Sequence, residues 1–251
     1  MVSHVEGVEI RPAGASIAFL LVHGFCAAPD EMGTLGQFLE SLGIASYAVQ
    51  LAGHGTAPEE LKRTRWIDWY NSVENAFTLV KTWNPKHLFV AGLSMGAALS
   101  ALLASENQDI DGLILIAPAL RIDGVLPKLV PILKYVLRDR DVDVIKAQEP
   151  YDIKRTKYAK EPVSAYHELF KLQKRVRKKM SNITLPTLII QGTDDKTINP
   201  VNGKIAYEAI SSEMKELHMI EGAEHVITCH STRTQAYAYI QEFITGVTSK
   251  K

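Results

Sequence analysis

Apolar positions along this chain follow two periodicities in alternation. Short unbroken runs recur at 17–22 (IAFLLV), 44–49 (IASYAV), 87–92 (HLFVAG), 112–117 (GLILIA), 187–191 (TLIIQ) and 215–220 (KELHMI). Runs of this length without strict alternation predict strands covered on both faces, and therefore a mostly parallel sheet in an α/β protein. Between the runs, apolar residues fall at helical spacing. Met32, Leu35, Phe38, Leu39 and Leu42 mark one helix, with Pro29 near its start and Gly43 after its end. Trp66, Trp69, Tyr70, Val73, Phe77 and Val80 mark a second, and aromatics at that spacing read as core packing rather than a ligand platform. Residues 202–212 and 233–247 predict two further surface helices, the last closing the chain.

Residues 118–182 break this rhythm. The stretch 124–139 (GVLPKLVPILKYVLRD) is apolar but interrupted by Pro127 and Pro131. Residues 163–180 form a long amphipathic helix candidate whose apolar face carries Tyr166, Leu169, Phe170, Val176 and Met180. Residues 141–162 between them are polar and hold no strand signal. An insertion of this size with apolar helical faces reads as a lid rather than a loop. The expected organisation is a first core part (1–117), a helical cap (118–182) inserted between two strands, and a second core part (183–251).

Charge sharpens that division. The whole chain balances 28 Lys and Arg against 28 Asp and Glu, yet residues 121–182 hold sixteen basic against eight acidic side chains. The overall balance gives no footing for nucleic acid or another polyanionic partner. The basic run 171–179 (KLQKRVRKK) could face an anionic lipid surface or an acidic substrate; the plainer reading is the wet face of an amphipathic helix. Two cysteines, Cys26 and Cys229, make no disulfide framework, C-x-x-C pair or Cys/His metal pattern, which fits a reducing compartment and no metal site. They read either as redox-sensitive thiols or as small apolar filler, and burial is the commoner state of free cysteine. The N-terminus lacks the basic start and apolar stretch of a secretory signal, and the longest apolar runs fall far short of the ~20 residues that span a bilayer. The expectation is a soluble cytoplasmic protein without stable membrane insertion.

The sharpest chemical signal is Gly92-Leu93-Ser94-Met95-Gly96, a G-x-S-x-G directly after one predicted strand and directly before a helical pattern. A strand-to-helix turn that tight holds its serine in strained backbone angles, and the flanking glycines remove side chains that would collide. A nucleophilic serine needs a histidine to take and return its proton, and a carboxylate to orient that histidine. Of eight histidines, His225 lies downstream of the serine in the loop between the last predicted strand and the last helix. His230 borders that final helix, His23 and His54 precede the serine in Gly-flanked loops, and His4, His87, His167 and His218 lie in the N-terminus, in or beside strands, or in the lid helix. An oxyanion hole requires two backbone N–H groups. The loop after the first long strand, LVHGFCAAP, offers that of Phe25 beside Gly24, and Met95 after the nucleophile offers the other. The acid falls in QGTDDKTINP (191–200), where the strand-turn position singles out the loop but leaves Asp194 and Asp195 both open.

These motifs together resemble the α/β-hydrolase superfamily, and within it the branch of small prokaryotic carboxylesterases and monoacylglycerol lipases. LLVHGF (20–25), LAGHG (51–55) followed by Asp68-Trp69, GLSMG (92–96), and GTDDKTINP with EHVIT (224–228) carry the resemblance across nearly the whole chain, the 118–182 insertion apart. Ala97 departs from the second glycine that many relatives place after the serine turn. The resemblance implies an α/β-hydrolase fold, with Ser94 as nucleophile and His225 as base, and with the N–H groups of Phe25 and Met95 as oxyanion hole. The branch's acid motif, G-x-x-D-x-x-[VI]-x-P, laid on Gly192, Ile198 and Pro200, selects Asp195. The implied reaction is two-step acyl transfer on a small-molecule ester or lipid-like substrate, of short to medium acyl chain or monoacylglycerol type, with no metal or organic cofactor. Alternatives on the same fold are a thioesterase, an iminopeptidase-like amidase, a C–C bond hydrolase, or a non-catalytic sensor of a small ligand.

Overall fold

The computed structural model describes residues 7–122, 129–130 and 137–249. The strands are β1 (Gly7–Ile10), β2 (Ile17–Val22), β3 (Ala45–Val49), β4 (His87–Leu93), β5 (Gly112–Ile116), β6 (Asp139–Asp141), β7 (Lys160–Pro162), β8 (Thr187–Gly192) and β9 (Lys215–Ile220). The helices are α1 (Gly33–Ser41), α2 (Pro58–Leu61), α3 (Trp66–Lys81), α4 (Met95–Glu106), α5 (Val144–Gln148), α6 (Val163–Arg177), α7 (Val201–Ala209) and α8 (Arg233–Thr248). Seven strands form one sheet in the spatial order β1-β3-β2-β4-β5-β8-β9. Its pairings are parallel except at the edge, where β1 runs antiparallel to β3.

Each of the six apolar runs is a strand of this sheet; five are buried on both faces, whereas the edge strand β9, expected to be covered likewise, is buried only at Ile220. Side chains alternate across a strand. Phe19 and Leu21 of β2 therefore join Phe89, Ile114, Ile190, Leu35 and Leu39 of α1, and Ile240 and Phe243 of α8 in one layer. Leu20 and Val22 point the other way, toward Val90, Leu115, Ile189, Trp69 and Val73 of α3, and Leu169 and Val176 of α6. The apolar face expected of residues 163–180 is thus part of the layer under the sheet, with α6 packed against α4. Its basic residues Lys171, Lys174, Arg175, Arg177 and Lys178 are exposed, and Arg175 and Lys179 pair with Glu106.

Three features depart from the sequence reading. Strand β1 is exposed along most of its length and carries too little apolar signal to be seen. Residues 141–162, expected to hold no strand, contribute to a two-stranded antiparallel ribbon in which Asp139 lies opposite Pro162. The ribbon is built of DRD and KEP, residue types depleted in strands. Helices α2 and α5, of four and five residues, are too short to show a period. The apolar, Pro-broken stretch 124–137 lies outside the described residues apart from Leu129, Val130 and Leu137, as does His4. Among the described residues, no helix is long and apolar enough to cross a membrane.

The strand order also places the site. From β2 the chain steps outward to β3, then returns past β2 to β4 on its other side. Loops leaving the carboxyl ends of β2 and β4 therefore diverge, and a crevice opens between them at the topological switch point. The loops after β8 and β9 emerge at the same end of the sheet.

Candidate active site

No linker separates β4 from α4: Leu93 ends the strand, Met95 begins the helix, and Ser94 alone makes the turn. Its backbone takes φ 57° and ψ −115°, a region that costs an L-residue about 1–3 kcal/mol. The strain is held by hydrogen bonds on both sides. Ser94 N–H donates to the Ile116 carbonyl at 2.9 Å, and the Ser94 carbonyl accepts the N–H groups of Ala98 and Ala119 at 3.2 and 3.1 Å. The glycine two residues on is required by the chain crossing there, since a Cβ on Gly96 would be driven into the carbonyl oxygens of Val22 and His23. The serine hydroxyl is thereby set at the N-terminus of α4.

The loop after β9 brings His225 to this hydroxyl, with Nε2 2.8 Å from Ser94 Oγ. On its far side, Nδ1 lies 2.7 Å from Asp195 Oδ2. An imidazole donating Nδ1–H to a carboxylate leaves Nε2 free to accept the serine proton, so the proton path runs from Oγ to Nε2. Asp195 is tightly held: Oδ1 accepts the N–H groups of Thr197 and Ile198, each at 2.9 Å, and Oδ2 also accepts Gln191 Nε2 at 3.1 Å. Burial pushes its carboxyl up, but the hydrogen bond and charge of His225, with the N–H groups of Ile198 and Thr197, outweigh that and hold it below the ordinary carboxylate value. Asp194 points elsewhere: it is exposed, and its carboxylate accepts Thr193 Oγ1 at 3.1 Å.

Across the crevice, the β2 loop presents Phe25. Behind it the buried His23 donates Nδ1–H to the Gly24 carbonyl at 2.8 Å and accepts the Leu51 N–H at Nε2. Cys26 follows in the left-handed region, φ 55°. Among the described residues, neither the Phe25 nor the Met95 N–H donates to a protein acceptor. The Phe25 ring packs edge-on against His54, Trp69 and Tyr166. His54 is buried in that cluster, His87 sits beside Asp111, His218 stacks on Tyr239, and His230 bonds Thr232, so none of these four reaches the serine.

Several residues around the site carried no sequence signal for a role there. Gln191, the polar residue that ends the run TLIIQ, is fully buried against Asp195. Glu31, within the predicted first helix, is buried behind Gly24 and accepts its N–H at 2.7 Å. The polar stretch 151–158 forms a strap across these loops: Tyr151 Oη accepts the Val226 N–H, Ile153 N–H donates to Cys229, and Tyr158 N–H donates to Cys26. Tyr158 Oη also donates to the Gly53 carbonyl and accepts the Thr56 N–H. Both cysteines are free and buried. Burial pushes the Cys26 thiol up, and that of Cys229 up to about 12, so neither supplies a thiolate at neutral pH. Among the described residues, no group of three or more His, Cys, Asp or Glu side chains is placed to hold a metal ion.

The chain is similar to a thermostable monoacylglycerol lipase of Bacillus sp. strain H-257, 31% identical over 221 residues that cover 84% of each chain. A carboxylesterase of Bacillus subtilis is 27% identical over 92% of this chain and 93% of its own. Among solved structures, a metagenome-derived lipolytic enzyme superposes with a TM-score of 0.83 at 25% identity, covering 93% of this chain and 97% of the other. Paleococcus ferrophilus monoacylglycerol lipase shares the fold with a TM-score of 0.78 at 18% identity, over 96% and 99%. The serine turn, the mostly parallel sheet and a match over residues 15–231 agree: this chain is an α/β-hydrolase and belongs to the Hydrolase_4 family, described as serine aminopeptidase, S33.

Proposed function

We propose that the chain hydrolyses carboxylic esters through an acyl-enzyme on Ser94, with His225 as general base and acid, and Asp195 as its orienting carboxylate. The observation that carries this reading is the unbroken hydrogen-bonded chain from Asp195 Oδ2 through His225 to Ser94 Oγ. Ser94 Oγ attacks the ester carbonyl as its proton passes to His225 Nε2. The carbonyl oxygen gathers negative charge, which the Phe25 and Met95 N–H groups stabilise; one such donor is worth about 10²–10³ in kcat. The tetrahedral carbon then re-forms its carbonyl, the C–O bond to the alcohol breaks, and the alcohol departs with the proton from His225. Water enters, loses a proton to the same Nε2 and attacks the acyl-enzyme; the C–Oγ bond then breaks as that proton returns from His225 to Ser94 Oγ, which frees the acid.

Among the described residues, charge supports ester rather than peptide chemistry. An aminopeptidase must hold a substrate ammonium group, which calls for an unpaired carboxylate near the serine. The buried carboxylates beside the β2 loop are already matched: Glu31 pairs with Arg155, and Glu161 with Lys157 and Arg140. The lipase and carboxylesterase relatives support the same choice, with esters of short to medium acyl chain or monoacylglycerols as substrates. Of the segment 118–182 expected as a cap, residues 137–162 serve as one in this proposal, supported by the strap at 151–158, whereas α6 packs with the core layer under the sheet. Two free, buried cysteines support a cytoplasmic location.

The test is turnover of p-nitrophenyl esters of graded chain length beside a monoacylglycerol panel, with and without Ser94→Ala. Activity that disappears in the variant, and an alkyl fluorophosphonate adduct found on Ser94 by mass spectrometry, are the expected results. Unchanged turnover in Ser94→Ala, or an adduct on another residue, would sink the proposal.

A further inference from the structure

Glu31 is a carboxylate with 3% exposure lying directly behind the loop that carries the Phe25 N–H. Its Oε2 accepts the Gly24 N–H at 2.7 Å, and its Oε1 accepts Arg155 Nη1 at 3.2 Å. Both side chains of this ion pair are buried, at 4% and 8% exposure. A Cβ on Gly24 would come within 2.8 Å of Glu31 Oε2 and 3.5 Å of Ser94 Cβ, so the Gly24 backbone is what separates this carboxylate from the serine. Arg155 belongs to the strap, 124 positions away in the chain. Its guanidinium lies 5.0 Å from the Tyr151 ring centroid, and Tyr151 Oη accepts the Val226 N–H, next to His225.

The peptide bearing the Phe25 N–H is therefore held at two points. His23 Nδ1–H fixes its oxygen, and Glu31 fixes the N–H of the preceding residue. Downstream, Tyr158 N–H holds the carbonyl of Cys26 in its left-handed conformation at 3.2 Å. Donors in an oxyanion hole act only when aimed at the developing charge before the reaction begins. A carboxylate can do the aiming in a buried place only if its charge is matched, and Arg155 matches it.

We propose that Glu31 and Arg155 form a positioning pair: the carboxylate orients the Gly24-Phe25 backbone, and the arginine matches its charge and holds it in place, so that strap and oxyanion hole are set together. The inference rests on the ester hydrolysis proposed for Ser94. Removing the arginine leaves a buried carboxylate without its counter-charge, which turns it toward water and loosens the loop. Removing both charges while keeping a hydrogen-bond acceptor at position 31 leaves the aim intact.

The experiment compares Arg155→Met and the double variant Glu31→Gln/Arg155→Met with the parent enzyme on a p-nitrophenyl ester. Rates are divided by active sites titrated with an alkyl fluorophosphonate, so that unfolded protein is not counted. Arg155→Met is expected to lower kcat by about 30-fold while KM stays within about threefold. Affinity for an alkyl boronic acid, whose tetrahedral adduct places an oxygen in the hole, is expected to weaken by a similar factor. The double variant is expected to recover to within about threefold of the parent, because the introduced amide oxygen still accepts the Gly24 N–H. A pair that only stabilises the fold would lower Tm and the titratable fraction and leave kcat per site and boronate affinity unchanged. That outcome, or a double variant as impaired as Arg155→Met, overturns the proposal. Ser94→Ala on the same ester separates the two claims: loss of activity there with an unaffected Arg155→Met rejects the positioning pair and leaves the hydrolase reading standing.

Discussion

Exchanging Asp195 for asparagine tests the proton path and the register of the acid loop at once. The new amide can be placed two ways. Turned with NH₂ toward Thr197 and Ile198, it would leave both N–H donors, now at 2.9 Å from Oδ1, without that acceptor, at about 1–3 kcal/mol for the buried one on Ile198. The oxygen therefore stays on those donors, and NH₂ faces His225 and Gln191. Gln191 can accommodate it: its Oε1 is buried and unpartnered among the described residues, so a half-turn of that amide presents an acceptor to the new donor. The fold survives, but His225 must now accept at Nδ1, which puts its proton on Nε2 facing Ser94. Such an imidazole cannot take the serine proton. The loss of kcat expected for this tautomer is about 10⁴-fold, a barrier increase of about 5.4 kcal/mol. Asp194→Asn, at an exposed carboxylate whose side chain bonds Thr193 Oγ1, should stay within about threefold of the parent. Steady-state hydrolysis of a p-nitrophenyl ester, with thermal unfolding to confirm folding, decides the matter. An Asp195→Asn enzyme that keeps more than about a tenth of its activity, or an Asp194→Asn enzyme that falls as far, refutes the reasoning.

Two further outcomes follow from the same geometry. Gly96→Ala presses a methyl group onto the carbonyls of Val22 and His23, and Val22 cannot yield because it pairs with Val49 on one side and Gly92 on the other. Urea unfolding should show a loss of about 3 kcal/mol, and a shift under ~1 kcal/mol would mean the turn is looser than drawn. The second outcome is an acid sensitivity set by His54, whose pKa burial, aided by neighbouring His23, pushes down to about 3. An unfolded histidine binds a proton below about 6.5 while the folded one refuses it, so this stability is complete above that pH and is lost on the way down, by about 2 kcal/mol between pH 6.5 and 5. His54→Phe keeps an aromatic ring in the cluster with Phe25 and Trp69 and should flatten the pH dependence of unfolding by about 1.4 kcal/mol per pH unit in that window. Parallel curves for the two proteins would reject the assignment.

Which residues could be read from the chain depends on the kind of constraint that put them there. Strands buried on both faces and helices with one apolar face write themselves as periods, so the sheet and its two layers were legible apart from the exposed edge strand β1. Ser94 was legible because a strand meeting a helix with no linker demands glycines around the turn, and His225 through the Ser-Asp-His chain order of the resembling family. Asp194 and Asp195 share one loop and one residue type, and no local rule separates them; only the motif spacing of the resembling family chose Asp195. The structure shows the physical basis of the difference: the N–H groups of Thr197 and Ile198 fold back onto the Asp195 carboxylate and turn it inward, leaving Asp194 on the surface.

The strap marks the limit of such reading. Residues 151–158 look like a polar connector because their partners are the polar backbone groups of loops at the carboxyl ends of the strands, where apolar packing has no part. Arg155 meets Glu31 across 124 positions and Tyr158 meets Gly53 across 105, with no period to announce either contact. A polar residue bound for such a place is indistinguishable in sequence from one bound for solvent, since both lack an apolar neighbour at a fixed interval. The two differ in what a conservative exchange does. A solvated Arg155 would tolerate methionine with little effect, whereas a buried one holding a carboxylate behind the oxyanion loop would not, and kcat at constant KM is the quantity that tells them apart.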